Sequence, residues 1–465
     1  MTDSTSSNTN AGAPGLIRSL RLRDVIIYGV ILVSPISPAP IFGSLSHKAQ
    51  GHAAIAILFA MFAMLPTAIS YGRMARAYPS AGSAFTFVGN EIGATLGYLT
   101  GWGMMMDYIL NAMISMIWVS QQAHVYVPDV PYDVWVVFFA MLSTAVTAQG
   151  VHMTARANIA MGTVLGVIVT VYLVAACHYI AVHPHATPGF FVRPFYEATT
   201  WDWHAILAST ALAMLIFIGF DGISTLSEEV HDPKRNIMRA TIATCVIVAV
   251  LSVVEAYTAE LVWPVSQTYP NVDTAFTFAA GRVWAPLFLV VGLAIMLSLL
   301  AVAVAAQLAV ARLLFGMGRS GSLPRTFFGA IHPTAHVPRN NVFLVGFVAL
   351  TGAIALPMVS GNATGYELGA NLVNFGALVS FMGVNASVIF HYYWRADQRR
   401  RREVFLPLTG FGICLLLLVN LGERALVFGV VWMSVGVAFA AWRTGGFRTR
   451  IAIFDDAAHL LAETD

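Results

Sequence analysis

Four carboxylates stand inside long apolar stretches of this chain: Asp107, Asp221, Glu255 and Glu260. An ionisable group within a bilayer costs roughly 2.5–3.5 kcal/mol on insertion scales, so such groups mark function by default. Asp107 and Asp221 have no basic residue in their own stretches to neutralise them. A buried carboxylate without a partner either takes up a proton or waits for a cation. Two such groups suit the passage of an organic amine, with aromatic faces from Tyr108, Phe217 and Phe220 adding cation–π attraction of about 0.5–2 kcal/mol. The alternative for Asp107 is structural, a hydrogen bond to a neighbouring helix or to Asn111 one turn on. Asp221 and Glu255 are the candidate proton carriers. Glu260 lies near the outer end of its stretch and is expected to reach water.

The other reactive types read as structural. Cys177, Cys245 and Cys414 each sit in an apolar run without CxxC spacing, which makes them small buried hydrophobes. No HExxH, GxSxG or GxxxxGK[ST] pattern occurs, so no metal, no cofactor and no enzyme activity are expected. Glu228 and Glu229 stand beside Lys234 and Arg235 as an interfacial charge cluster. His178 and His391 lie near the ends of apolar stretches, and His391 opens an interfacial aromatic belt with Tyr392, Tyr393 and Trp394.

The elements that must hold these groups are membrane helices. Of 465 residues, 58% are hydrophobic and only 10% charged, against about 25% charged in a soluble domain. Such a chain needs lipid as its solvent. Apolar runs of about 20 residues fall near 24–46, 53–72, 96–122, 133–150, 158–182, 204–227, 240–262, 284–315, 342–359, 368–392, 405–420 and 424–442. An all-α polytopic membrane protein of about twelve spans follows, and a β-barrel is excluded by the absence of period-two patterns. With the N-terminus inside, the outer loops receive only Lys48, Arg193, Arg282 and Arg424 of the 25 basic residues. The positive-inside rule then places both termini in the cytoplasm and the chain in the inner membrane. The basic residues are dispersed, so no nucleic acid is expected as a partner. Residues 1–15 read as a disordered tail with no cleavable signal, 16–443 as the transmembrane domain, and 444–465 as a short tail.

Two spans are interrupted. The first reads GVILVSPISPAPIFG, with Pro35, Pro38 and Pro40 in its middle, and proline cannot continue a helix. The sixth carries Gly219 and Gly222 around Asp221. Paired breaks at corresponding places point to an inverted-repeat transporter with its site at the midplane. The repeats would run over about 24–182 and 204–392, with extra helices at 404–443. Simple kinks packed against neighbours are the alternative.

Four stretches carry a resemblance. TAISYGRMARAYPSAGSAFTFV (67–88), GYLTGWGMMMDY (97–108), FIGFDGISTLSEEVHDPKRNI (217–237) and ARLLFGMGRSGSLPRTFFGAIHP (311–333) resemble, in order, motifs of the amino acid–polyamine–organocation superfamily. They are most similar to those of bacterial putrescine-importer-like permeases. The resemblance implies a LeuT-like fold of five plus five helices with two more. It implies alternating access, with substrate held by broken spans one and six and enclosed by spans three, eight and ten. By motif position Asp107 and Tyr108 fall on the substrate-facing part of span three, Phe217, Ile218 and Gly219 on the unwound part of span six, and Asp221 where a gating acidic residue stands in some relatives. The expected substrate-binding set adds Ser34, Ile36 and Ser37 at the span-one break, where the serines offer hydroxyls.

One departure separates this chain from amino acid permeases. Those usually break span one at a glycine-rich turn whose amides bind the substrate carboxylate. Here three prolines remove three donors, which tilts the reading toward an amine such as putrescine; a neutral or cationic amino acid is the alternative. In this fold a common sodium site takes hydroxyls from span eight, yet residues 299–318 contain no Ser or Thr. Proton coupling or exchange is therefore expected. A membrane enzyme lacks its constellation here, and a channel or a transporter-like sensor is the lesser alternative.

Overall fold

The computed structural model describes residues 20–78, 83–150, 155–183, 189–226, 230–319, 323–332, 337–360, 365–395 and 401–446. The expected tail 1–15, most of the expected tail 444–465, and Glu228 and Glu229 lie outside the described residues. The chain runs as α1 (Leu22–Val33), α2 (Phe42–Lys48), α3 (Ala53–Ala77), α4 (Ser83–Glu91), α5 (Ala94–Tyr126), α6 (Tyr132–Ala148) and α7 (Ala155–Val182). It continues as α8 (Trp203–Ala213), α9 (Pro233–Val262), α10 (Ala275–Val283), α11 (Ala285–Arg319), α12 (Arg325–Phe328) and α13 (Arg339–Ser360). The last three are α14 (Tyr366–Ile389), α15 (Arg401–Val419) and α16 (Glu423–Arg443).

Ten helical segments among the described residues are long and apolar enough to cross a membrane. With the shorter apolar α6 and the broken α1–α2 segment they occupy all twelve expected stretches. The short helices α4, α10 and α12 were not expected. They are too brief to carry a hydropathy signal, yet α4 and α10 hold equivalent places. In each half a break is followed by a long helix, a short one, then further long ones.

Packing follows membrane rules, in which small residues let helices approach closely. The halves meet where α3 runs along α9, and α5 is gripped by α11 and α14. The α5–α14 crossing depends on Gly103 and Gly376: a Cβ at Gly376 would fall 2.6 Å from the Gly103 carbonyl and 2.9 Å from the Asp107 amide. The extra helix α16 docks through a reciprocal pair. Trp102 Nε1 donates to the Trp432 carbonyl at 2.9 Å, and Trp432 Nε1 to the Trp102 carbonyl at 3.0 Å.

Three expectations need correction. Glu260 is buried rather than solvated. Its Oε1 accepts the Ser46 hydroxyl at 2.8 Å and the Ala53 amide at 2.9 Å, so it caps the start of α3, where amides lack helical partners. His391 does more than line an interface: its Nδ1 lies 2.6 Å from Oε1 of the buried Glu91, which also accepts the Tyr78 hydroxyl at 2.7 Å. Burial with that carboxylate alongside pushes the Tyr78 phenol up to about 12, so it stays a donor near neutral pH. Cys177 is exposed on α7, unlike the buried Cys245 and Cys414, because α7 presents much of its surface outward.

Candidate functional site

The break in span one is built by its prolines. Helix α1 stops at Val33, and Ser34 takes φ +80, a left-handed conformation unusual for a residue with a Cβ. Pro35 fixes the exit, and a 3₁₀ turn at Ala39–Ile41 leads into α2. Each amide that the prolines leave is engaged within the break. Ser34 N donates to the carbonyls of Val30 and Ile31, Ile36 N to Ser34 Oγ at 3.4 Å, and Ser37 N to the Ser34 carbonyl at 3.3 Å. Ala39 N donates to the Ile36 carbonyl and Ile41 N to the Pro38 carbonyl, both at 3.2 Å, and Phe42 N to the Ala39 carbonyl. The two hydroxyls reach across to other spans. Ser34 Oγ lies 3.1 Å from Ser298 Oγ of α11, and Ser37 Oγ 3.4 Å from Ser252 Oγ of α9. Ser34 and Ile36 are buried, and Ser37 is partly so.

The break in span six is built by glycine. Helix α8 tightens into a 3₁₀ turn at Met214–Phe217, Ile218 is extended, and Gly219 takes φ +114. A second 3₁₀ turn, Phe220–Leu226, follows. Asn374 of α14 donates to the carbonyls of Ala211 at 2.9 Å and Leu212 at 3.2 Å, satisfying the end of α8. The two breaks touch: a Cβ at Gly219 would lie 3.4 Å from the Leu32 carbonyl at the end of α1. The amides of this break face a carboxylate of the chain itself, since Asp221 takes hydrogen bonds from Gly219 and Gly222.

Asp221 lies near enough to act electrostatically on Asp107, Tyr108 and Tyr71. Asp107 Oδ1 is buried without a hydrogen-bond partner among the described residues, and Asn111 does not supply one. Tyr108 also packs toward Met105, Val310 and Leu314. Phe217 is buried at the break, whereas Phe220 belongs to an aromatic group with Tyr71 and Phe381. Glu255 stands elsewhere, one turn beyond Ser252 and beside Tyr172 of α7. It is fully buried, and neither of its oxygens has a partner among the described residues.

Four residues at this centre were missed by sequence reasoning. Ser298 lies one position before the hydroxyl-free stretch 299–318, and Ser252 one turn before Glu255; both are ordinary serines until the break meets them. Tyr71 sits inside the quoted second-span motif, and Asn374 in span ten, where a polar residue in an apolar run was the available signal. Spans eight and ten contact the breaks, through Ser298 on Ser34 and Asn374 on Ala211 and Leu212, and span three packs on span ten where Gly376 meets Asp107.

The chain matches one protein family over most of its length. The family model described as amino acid permease matches residues 40–449. The low-affinity putrescine importer PlaP of Escherichia coli is 32% identical over 97% of this chain and 98% of its own length. The methylthioribose transporter of Bacillus subtilis is 24% identical over 90% of this chain and 92% of its own. The branched-chain amino acid permease BcaP of the same species is 24% identical over 92% and 93%.

Proposed function

The chain belongs to the amino acid permease family and is therefore a membrane transporter rather than an enzyme, and we propose that its cargo is a small organic amine without an α-carboxylate, such as putrescine. The observation that carries this reading is the state of the span-one break. Prolines at 35, 38 and 40 lack amide hydrogens, and the Ser34, Ile36, Ser37, Ala39, Ile41 and Phe42 amides are all engaged internally. A substrate carboxylate would find no free nest of donors there. An ammonium group instead finds acceptors: the Asp107 and Asp221 carboxylates and the carbonyl end of α1, where the helix dipole favours positive charge. A relative with the name of a putrescine importer supports the same direction.

Ser34, Ile36, Ser37, Asp107, Tyr108, Phe217, Ile218, Gly219 and Asp221 form the substrate site in this reading. Transport proceeds by alternating access and is driven by protons or exchange, with Asp221 or the unpartnered Glu255 carrying the proton. The chain lies in the inner membrane with both ends cytoplasmic. The second reading, a neutral or cationic amino acid permease, is favoured by the relatives named for amino acids.

A thermal-shift screen of the purified protein against diamines, monoamines and amino acids separates the two, because a ligand at 100 times its Kd stabilises the native state by about 2.7 kcal/mol. Stabilisation by putrescine and not by α-amino acids is expected. Stabilisation by amino acids alone would sink the amine reading. Reporter fusions at residues 185 and 235 should report outside and inside respectively; two cytoplasmic signals would remove the proposed topology.

A further inference from the structure

We propose that Tyr71 of α3 is a substrate-contacting residue: its hydroxyl forms a third polar wall of the site beside Asp107 and Asp221, and its ring closes that site on the side of α4. The proposal rests on the reading of those carboxylates as the amine site.

Tyr71 is 1% exposed, and its hydroxyl has no hydrogen-bond partner among the described residues. Its ring meets three others edge-to-face: Phe87 of α4 at 6.3 Å, Phe220 of the span-six break at 5.6 Å, and Phe381 of α14 at 5.8 Å between centroids. Phe220 and Phe381 are themselves 5.2 Å apart. Phe220 immediately precedes Asp221, so the cluster abuts the acidic residue of that break. Along α14, Phe381 follows Gly376, the residue seated on Asp107, by five positions, or about 7.5 Å of helix rise. Tyr71 and Asp107 therefore approach α14 at neighbouring levels. The side chain is held in place from behind. Ser70 Oγ donates to Asn385 Oδ1 at 2.6 Å, and Asn385 Nδ2 donates to Thr67 Oγ1 at 2.9 Å.

A phenylalanine would fill this aromatic cluster as well. The hydroxyl is what needs explaining, because a buried hydroxyl without a partner is unfavourable. Two such atoms, Tyr71 Oη and Asp107 Oδ1, lie within electrostatic reach of one another and of Asp221. A phenol accepts a hydrogen bond from an ammonium while its ring packs on methylene groups. An alkylammonium satisfies both, while the rings of Phe87, Phe220 and Phe381 hold the Tyr71 ring in place.

Equilibrium binding of radiolabelled putrescine to the purified full chain tests the contact. Tyr71→Phe keeps the ring and removes only the hydroxyl. Affinity is expected to fall at least fivefold while the melting temperature holds or rises, a combination that a merely structural tyrosine would not produce. Binding within twofold of the parent overturns the contact. A second measurement does not depend on the cargo. Tyr71→Cys, in a chain with Cys177, Cys245 and Cys414 replaced by Ser, is exposed to 2-aminoethyl methanethiosulfonate in proteoliposomes, with Ser37→Cys as the reference. Modification at 71 supports the wall, and protection at 71 where 37 reacts overturns it. A parent that binds no putrescine, together with modification at 71, would sink the amine reading and leave the assignment of Tyr71 standing.

Discussion

The two breaks at the centre of this transporter are made by opposite means. Span one is broken by three prolines and span six by one glycine at φ +114. Proline stiffens the chain and removes donors, whereas glycine leaves both the freedom and the amide. The proline break has no charged residue. Its amides close on themselves, and its hydroxyls tie it to Ser298 and Ser252. The glycine break carries Asp221, and amides of that turn point at the carboxylate. One break is thus a braced, donor-poor wall, and the other a pliable turn bearing an acid. Under the proposed reading, the acid-bearing break takes an ammonium group and the donor-poor break leaves a carboxylate without partners.

The largest effect that tests this division should come from the acids. Asp221→Asn and Asp107→Asn keep shape and remove charge, and breaking a buried charge pair typically costs 2–5 kcal/mol. Amine binding should weaken at least tenfold in protein that still folds; two variants that bind and transport like the parent would make both carboxylates structural. Next comes Gly219→Ala. Space is not the obstacle, because the added Cβ would meet its nearest atom at 3.4 Å. The backbone angle is, and a residue with a Cβ held there costs of order 1–3 kcal/mol. Transport should fall sharply, with a lowered melting temperature; an alanine variant of parental stability and rate would show that the turn does not need its glycine.

A smaller effect is expected on the proline side. Ser34→Ala removes the bond to Ser298 and the one from the Ile36 amide, each worth about 1 kcal/mol net. The melting temperature should drop modestly, and amine binding should weaken less than in the acid variants. Pro35→Ala restores one amide hydrogen at the break, and binding of an α-amino acid should improve a few-fold relative to putrescine. No change in that ratio would separate carboxylate exclusion from the prolines. The smallest expected effect is none at all, on imposing an inward sodium gradient at fixed pH and voltage. Ser298 is the span-eight hydroxyl at which a sodium ligand set would begin. Stimulation by sodium that disappears in Ser298→Ala would turn the Ser34–Ser298 pair into a cation site and overturn the expectation.

The twelve apolar stretches and both breaks were legible from local chemistry. Twenty apolar residues need no partner to declare a span, and Pro35, Pro38 and Pro40 stop a helix wherever they stand. The brief helices α4 and α10 were not legible, because nine residues are too few to show a helical period against the apolar sequence around them. Glu260 was misread for a related reason: its place near a span end suggested water, while its partners Ser46 and Ala53 stand more than 200 positions earlier.

By itself, then, the sequence determined the solvent of this protein, its twelve apolar stretches, where two of them break, and which carboxylates lie within them. Those properties belong to single segments and follow from hydropathy and backbone chemistry alone. Only the tertiary structure decided what the breaks meet. Ser34 finds Ser298 across 264 positions and Ser37 finds Ser252 across 215, Asp107 comes within electrostatic reach of Asp221, and Tyr71 packs edge-to-face on Phe220. No periodicity encodes such pairs, because they arise only when helices far apart in the sequence pack against one another.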